Sequence, residues 1–231
     1  MELIVKLLLV HVISDFFLRS QKSSDLRKEH TIMGTLSSGI HALWVALLTY
    51  MIVANWHCWW MPLSIFLTHW IIDVYYNRQN NGDVATFIIS QTLHIFVICL
   101  VCYFYIGFPP IRHATPNADC MLYTLSYLSV LAPSSVLIKL FTKQWEPENN
   151  TTSLPNAGKW IGYLERILIL TFIYAGHIEG IGFLLAAKSV FRFGDLNRAK
   201  DVRTTEYVLL GTFLSFAISI LIGFGVTYIL S

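Results

Sequence analysis

"HVISDFFLRSQ", residues 11–21, and "HWIIDVYYNRQ", residues 69–79, repeat one pattern within apolar surroundings. Each stretch places a histidine four residues before an aspartate and then continues to an arginine and a glutamine. A four-residue spacing puts both side chains on one face of a helix, one turn apart. Because ionisable groups are costly inside a membrane, their presence in an apolar helix points to function.

The chain around these stretches has the composition of a polytopic membrane protein. Hydrophobic residues make up 55% of its 231 residues and charged residues only 13%, well outside the usual composition of a soluble domain. Apolar segments recur from end to end, and each is a candidate membrane helix. They cover roughly residues 3–18, 32–54, 62–76, 84–106, 120–141, 160–176, 180–193 and 205–230. We therefore predict an all-α, polytopic integral membrane bundle of about eight helices, with an internal repeat of helices 1–2 and 3–4.

Polar residues divide the chain into three predicted parts. Residues 1–141 form a five-helix membrane region that contains both HxxxD hairpins. Residues 142–158, "TKQWEPENNTTSLPNAG", are the longest polar stretch and are predicted to be a cytoplasmic linker. Residues 159–231 form a three-helix C-terminal membrane region.

Positive charge predicts the orientation of the helices. Most of the 16 Lys and Arg residues follow the first, third, fifth and seventh apolar segments, and the alternate connections are almost free of them. Connections rich in Lys and Arg lie in the cytoplasm. We therefore expect a multi-pass protein of the bacterial inner membrane with both termini outside. Trp56, Trp59 and Trp60 are expected to anchor its outer face.

Six ionisable residues are predicted to share one half of the bundle. They are His11, Asp15, His41, His69, Asp73 and His94. At 1.5 Å per residue, the aspartates lie about 5 Å and the histidines about 10–15 Å from the cytoplasmic helix ends. The depths match although helices 1 and 3 run opposite to helices 2 and 4. The sequence therefore predicts that these side chains meet near the cytoplasm.

Imidazole and carboxylate groups together suit a divalent metal such as Zn²⁺, Mn²⁺ or Fe²⁺. We expect all six residues to act as metal ligands at one or two ions, with Asp15 and Asp73 also taking catalytic roles. Two alternatives remain open. The same groups suit a proton relay, and buried polar side chains also join membrane helices through hydrogen bonds alone.

A further polar set is expected at the same side of the membrane. The predicted substrate-binding residues are Gln91, Arg166, Lys188 and Arg192. Glu165 and Glu206 are predicted to form structural ion pairs with these cations, as Glu165–Lys188 or Glu206–Arg166. Since three cations face two carboxylates, one cation, Lys188 or Arg192, is expected to remain for an anion.

Several motifs resemble a family of small bacterial integral membrane proteins known as a domain of unknown function. The first are "HxxxDFFLxxQ", "HxxID" and "QxxH" in the first half. The C-terminal block "GKWIGYLERILIL", "IGFLLAAKSVFRFGD" and "TEYVLLGTFLSF" carries the resemblance furthest. The resemblance implies membrane class rather than an activity. The His/Asp arrangement alone is also loosely similar to bacterial membrane-bound metal-dependent hydrolases.

The motifs favour a metal-dependent hydrolase that acts at the inner leaflet. Metal-activated water would attack a phosphoester or a similar bond. A proton- or metal-ion-coupled transporter is the first alternative, because duplicated helix pairs often build ion sites near the membrane centre. A membrane sensor or effector without catalysis is the second. The expected partners are the lipid bilayer, an anionic lipid or phosphate-containing ligand, and a second copy of the chain; nothing indicates a nucleic acid.

Overall fold

A computed structural model describes residues 1–18, 31–79, 83–106, 116–146, 156–193 and 202–231. All regular secondary structure in these ranges is helical, which confirms the predicted all-α class. The eight α-helices in this part of the chain are α1 Glu2–Val12, α2 Ile32–Val53, α3 Trp60–Gln79, α4 Val84–Ile106, α5 Pro116–Thr142, α6 Ala157–Tyr174, α7 Glu179–Phe193 and α8 Val202–Leu230. A π-helical turn, Ile13–Phe17, extends α1, and a 3₁₀ turn, Lys143–Trp145, extends α5.

Four of these helices are long and apolar enough to cross a membrane. The candidate spans are Ile32–Val53, Val84–Tyr105, Ala118–Trp145 and Arg203–Leu230. The other four described helices do not combine that length with that hydropathy; several of the predicted apolar segments are short for a span, and 180–193 had been left open as a re-entrant or tilted segment. The α1 and α7 helices, for example, contain 11 and 15 residues, fewer than the roughly 20 that cross a bilayer perpendicularly.

Helix α2 shows how the spans suit a lipid environment. Its outward face carries large apolar side chains, including Leu36, Trp44 and Met51 at 60–67% exposure. Its buried face carries small residues such as Ser38 and Ala42. Small residues let membrane helices approach closely, while the apolar face satisfies the lipid. This arrangement is the reverse of a helix in a water-soluble protein.

The first compact unit comprises Met1–Leu125. In it, α3 packs against α2 and α4, and α1 packs against the same two neighbours. The indole N–H of Trp70 donates to the Thr35 carbonyl at 3.2 Å and joins α3 to α2. An apolar core formed by residues such as Leu7, Val45 and Ile65 fills one end of the four-helix arrangement.

The second compact unit comprises Ser126–Ser231. Helix α6 packs on α8 and α7 around a core that includes Ile169, Ile173 and Phe216. Gly176 ends α6 with a φ of +77°, a conformation that suits glycine. The division between the two units lies within α5. The linker predicted at 142–158 stays a prediction, since 147–155 fall outside the described ranges.

Candidate functional site

The π-helical turn places the first aspartate of the repeat. The Leu18 N–H donates to the Ile13 carbonyl at 2.9 Å, a bond that spans five residues rather than four. His11 precedes the turn and Asp15 lies inside it; both are buried, at 4% and 5% exposure. Single π turns recur at functional sites because they redirect side chains within an otherwise regular helix.

Asp15 lies among three histidines from three helices. Its Oδ1 is 3.1 Å from His41 Nε2 and 3.3 Å from His69 Nε2. Its Oδ2 is 3.8 Å from His11 Nδ1. One carboxylate therefore connects α1, α2 and α3 at a single point.

Asp73 completes the arrangement from the second copy of the motif. Its Oδ2 is 3.9 Å from His69 Nε2, and its Oδ1 is 3.8 Å from His94 Nε2. The His69 and His94 ring centroids are 4.2 Å apart. The Nε2 atom of His69 consequently lies between the Asp15 and Asp73 carboxylates. The structure thus brings together all six residues that the sequence selected.

Two contacts orient the rings from outside the cluster. His94 Nδ1 donates to the Ser90 carbonyl at 2.8 Å, which leaves Nε2 with a lone pair when the ring is neutral. That Nε2 is buried and has no hydrogen-bond partner among the described residues. His11 Nε2 lies 3.1 Å from Gln91 Oε1. Gln91, predicted to bind substrate, therefore contacts a histidine of the cluster. Ring-nitrogen contacts of this kind commonly orient metal-binding histidines.

Two overlapping triads have the spacing of metal ligands. They are His11, Asp15 and His69, and His41, His69 and Asp73, with ligand atoms within 4.8 Å of one another. Tetrahedral bonds of 2.0–2.1 Å separate neighbouring ligand atoms by about 3.3 Å. The distances of 3.1 and 3.3 Å from Asp15 Oδ1 to His41 and His69 agree with that value. The same distances suit ordinary His–Asp hydrogen bonds.

A small cavity adjoins the cluster on its apolar side. It has a volume of about 20 Å³, and its lining includes His11, His69 and His94. That volume accommodates about one water molecule. Leu7 and Ile65, which lie one turn from His11 and His69, line the same cavity and belong to the apolar core. The polar cluster therefore gives way to close apolar packing within a helical turn.

The C-terminal residues selected from the sequence have different surroundings. Lys188 Nζ is 2.7 Å from both carboxylate oxygens of Glu165. Arg166 donates to the Val130 carbonyl, to Ser135 Oγ at 2.6 Å and to Ser215 Oγ at 3.0 Å. Arg166 therefore contacts these three groups, and not Glu206, with which an ion pair had been one of the predicted options.

Glu206 and Arg192 take no described part in these contacts. Glu206 is exposed, and the structure gives it no ion pair within the described ranges. The backbone of Arg192 lies in α7, and its side chain falls outside the described residues. Of Arg166 and Lys188, the two cations of this set whose side chains are described, Arg166 is the one without a carboxylate partner. The spare cation had been expected to be Lys188 or Arg192, and for Arg192 this stays a prediction.

Comparison with known proteins identifies the family but no activity. Residues 3–118 match the family described as "Protein of unknown function (DUF3307)". The match contains all six His and Asp residues, whereas the C-terminal motifs of the expected resemblance lie beyond it. No curated protein and no solved structure matches the chain, and the likeness to metal-dependent hydrolases stays a prediction. The chain belongs to the DUF3307 family of proteins of unknown function.

Proposed function

We propose that this protein is a membrane-embedded, metal-dependent hydrolase whose centre is the His/Asp cluster of the first unit. The observation that carries the proposal is the position of His69 Nε2, 3.3 Å from Asp15 Oδ1 and 3.9 Å from Asp73 Oδ2. Both carboxylates therefore lie within 4 Å of one imidazole nitrogen, and like charges that share a buried site repel each other. A divalent cation between them would relieve that repulsion.

The shared histidine favours one ion rather than two. Both ligand triads use His69, and one imidazole nitrogen has a single lone pair for coordination. We therefore assign Asp15, Asp73 and His69 to one ion, with further ligands from His11, His41 and His94. Nitrogen and carboxylate ligands suit Zn²⁺, Mn²⁺ or Fe²⁺.

Hydrolysis would follow from this ligand set. A divalent ion held here would supply a water nucleophile at neutral pH and polarise the bond to be cleaved. Attack of the water oxygen on the phosphorus of a phosphoester would break the ester P–O bond. Asp73 would accept one of the water protons and return it to the leaving alcohol oxygen. The side chain of His41 is 11% exposed, against 4% for those of His11, Asp15 and His69, so the substrate is expected to approach past His41.

The packing above the cluster argues against the transporter alternative. A transport path needs polar or water-filled space that continues across the membrane. Here Met61, Ile65 and Ile98 are buried at 1–6% exposure in the apolar core beside the cavity. The cavity described next to the histidines has a volume of about 20 Å³. A catalytic site reached from one side fits this packing better than a path through the bundle.

The location at the inner leaflet rests on charge. The cluster lies toward the helix ends that segments 19–30 and 80–82 connect. The segment 19–30 contains four basic residues, Arg19, Lys22, Arg27 and Lys28. Basic connections favour the cytoplasm, so we place the site at the cytoplasmic side of a bacterial inner membrane.

Hydrolysis of a chromogenic phosphodiester and phosphomonoester by the detergent-purified chain tests the proposal. We expect release of p-nitrophenol from at least one of them after loading with Zn²⁺, Mn²⁺ or Fe²⁺, and loss of that activity with a chelator. Asp73→Asn should lower kcat by at least about 100-fold, since it removes the proposed base and a ligand. His57→Asn, an exposed control in the same unit, should retain it. No hydrolysis by the metal-loaded protein, or full activity in Asp73→Asn, would count against a hydrolase.

A further inference from the structure

The C-terminal unit contains a large cavity of its own. It lies among α5, α6, α7 and α8 and has a volume of about 730 Å³. Cavities of roughly 300–1,000 Å³ are the size of small-molecule binding sites. Ile161, on its wall, is 51% exposed, so the cavity opens to the surface of the unit.

The charges that line this cavity do not balance among the described residues. Glu165, Arg166 and Lys188 all contribute to its wall. Lys188 and Glu165 neutralise each other at 2.7 Å. Arg166 is only 3% exposed, and its described acceptors are a carbonyl and two hydroxyl groups. One positive charge therefore remains at the cavity, and an uncompensated buried charge is costly.

The guanidinium of Arg166 is held in place yet retains donors. Its three hydrogen bonds use three of the five N–H groups of an arginine. Gly162 leaves room for it, because a Cβ there would lie 3.0 Å from Arg166 Nη1. A fixed, planar guanidinium with donors to spare matches the oxygens of a phosphate group.

The rest of the cavity wall indicates that the ligand has an apolar part beside its anionic group. Ile138, Ile161, Leu184 and Val208 give the cavity an apolar surface beside the Arg166 end. A soluble anion would leave this apolar surface without a partner. An acyl chain would cover it, and the surrounding helices include candidate membrane spans.

We propose that this cavity binds the phosphate headgroup of an anionic lipid, with Arg166 contacting the phosphate and the apolar wall contacting the acyl chains. Basic pockets between membrane helices bind lipid headgroups in this way. All residues of this cavity belong to the second unit, whereas the residues of the proposed metal centre belong to the first. Lys188 and Glu165 form the polar edge of the pocket and neutralise each other. The negative charge of the lipid phosphate is therefore compensated by Arg166 and not by Lys188.

Equilibrium binding of labelled phosphatidylglycerol to the full-length protein in detergent tests the assignment. We expect phosphatidylglycerol to bind, and phosphatidylcholine and free glycerol phosphate to compete at least about tenfold more weakly. Arg166→Gln should weaken binding at least about tenfold, as expected for loss of a charged hydrogen bond. Lys159→Gln removes a positive charge from an exposed position on the same helix, outside the cavity, and should bind normally.

A second pair of variants guards against misfolding of Arg166→Gln. Ala187 lines the cavity, and its neighbour Ala186 does not. Ala187→Trp should fill the space and weaken phosphatidylglycerol binding, while Ala186→Trp should leave it unchanged. The proposal is overturned if Arg166→Gln and Ala187→Trp both bind as the unaltered protein does. It is equally overturned if glycerol phosphate displaces the lipid at the lipid's own concentration, or if phosphatidylcholine binds as tightly.

Discussion

His94 directs Nδ1 to the Ser90 carbonyl at 2.8 Å and Nε2 toward the Asp73 carboxylate at 3.8 Å. The hydrogen bond to the Ser90 carbonyl requires the proton on Nδ1, so the lone pair of Nε2 is available to bind a cation. His11 has a comparable outer contact with Gln91. At the scale of single residues, the cluster therefore consists of ligands and of neighbours that orient them.

Gln91→Leu should weaken metal binding without removing a ligand. The leucine retains most of the side-chain volume but leaves His11 Nε2 without its contact to Gln91 Oε1. Loss of such an outer partner typically lowers metal affinity about 10–100-fold. Competition with a chromogenic chelator measures the dissociation constant. Gln144→Leu, at an exposed position, is the control, and equal affinities for the two variants would show that Gln91 does not orient a ligand.

Residue spacing selected four of the six clustered residues and the estimated depth in the helices selected His41 and His94, because both criteria survive modest errors in helix ends. The partners of Arg166 were not foreseeable in the same way. Ser135, Ser215 and the Val130 carbonyl resemble ordinary packing groups in a sequence. Only the rotation of each helix determines which of them meets the guanidinium.

Individual helices differ in how far the sequence defines them. The apolar segments 32–54 and 84–106 correspond to α2 at Ile32–Val53 and α4 at Val84–Ile106, because lipid contact requires long apolar runs. Nothing in the sequence predicted the π turn at Ile13–Phe17. The other copy of the motif lies in the α-helix α3, so the same HxxxD pattern occurs in two local geometries.

Helix α8 offers a matched test of element packing. A Cβ at Gly223 would lie 2.6 Å from Ile173 Cδ1 and 3.1 Å from Leu170 Cδ2, whereas one at Gly225 meets nothing within 4 Å. Gly223→Val should therefore destabilise the protein by about 1–3 kcal/mol through overpacking, and Gly225→Val should cost much less. Thermal unfolding in detergent compares them. Equal melting temperatures would mean that α8 does not pack on α6 at Gly223.

The whole molecule is predicted to lie with the His/Asp cluster toward the cytoplasm. In a variant without its four cysteines, His57→Cys should react with a membrane-impermeant maleimide on intact cells. Ser24→Cys, in the basic segment 19–30, should react only after the cells are opened. Labelling of position 24 from outside would reverse the orientation and move the proposed catalytic site to the outer leaflet.

The metal content of the purified full-length protein tests the central claim most directly. We expect about one Zn, Mn or Fe ion per chain by elemental analysis, in line with the single shared histidine ligand and the preferences of N/O ligand sets. His69→Ala should lose this ion while remaining folded in the membrane, and His57→Ala, which changes an exposed histidine of the same unit, should retain it. A folded protein that contains no such ion and takes up none when offered Zn²⁺, Mn²⁺ or Fe²⁺, or a His69→Ala variant that retains the full amount, would contradict the assignment of the His/Asp cluster as a metal centre.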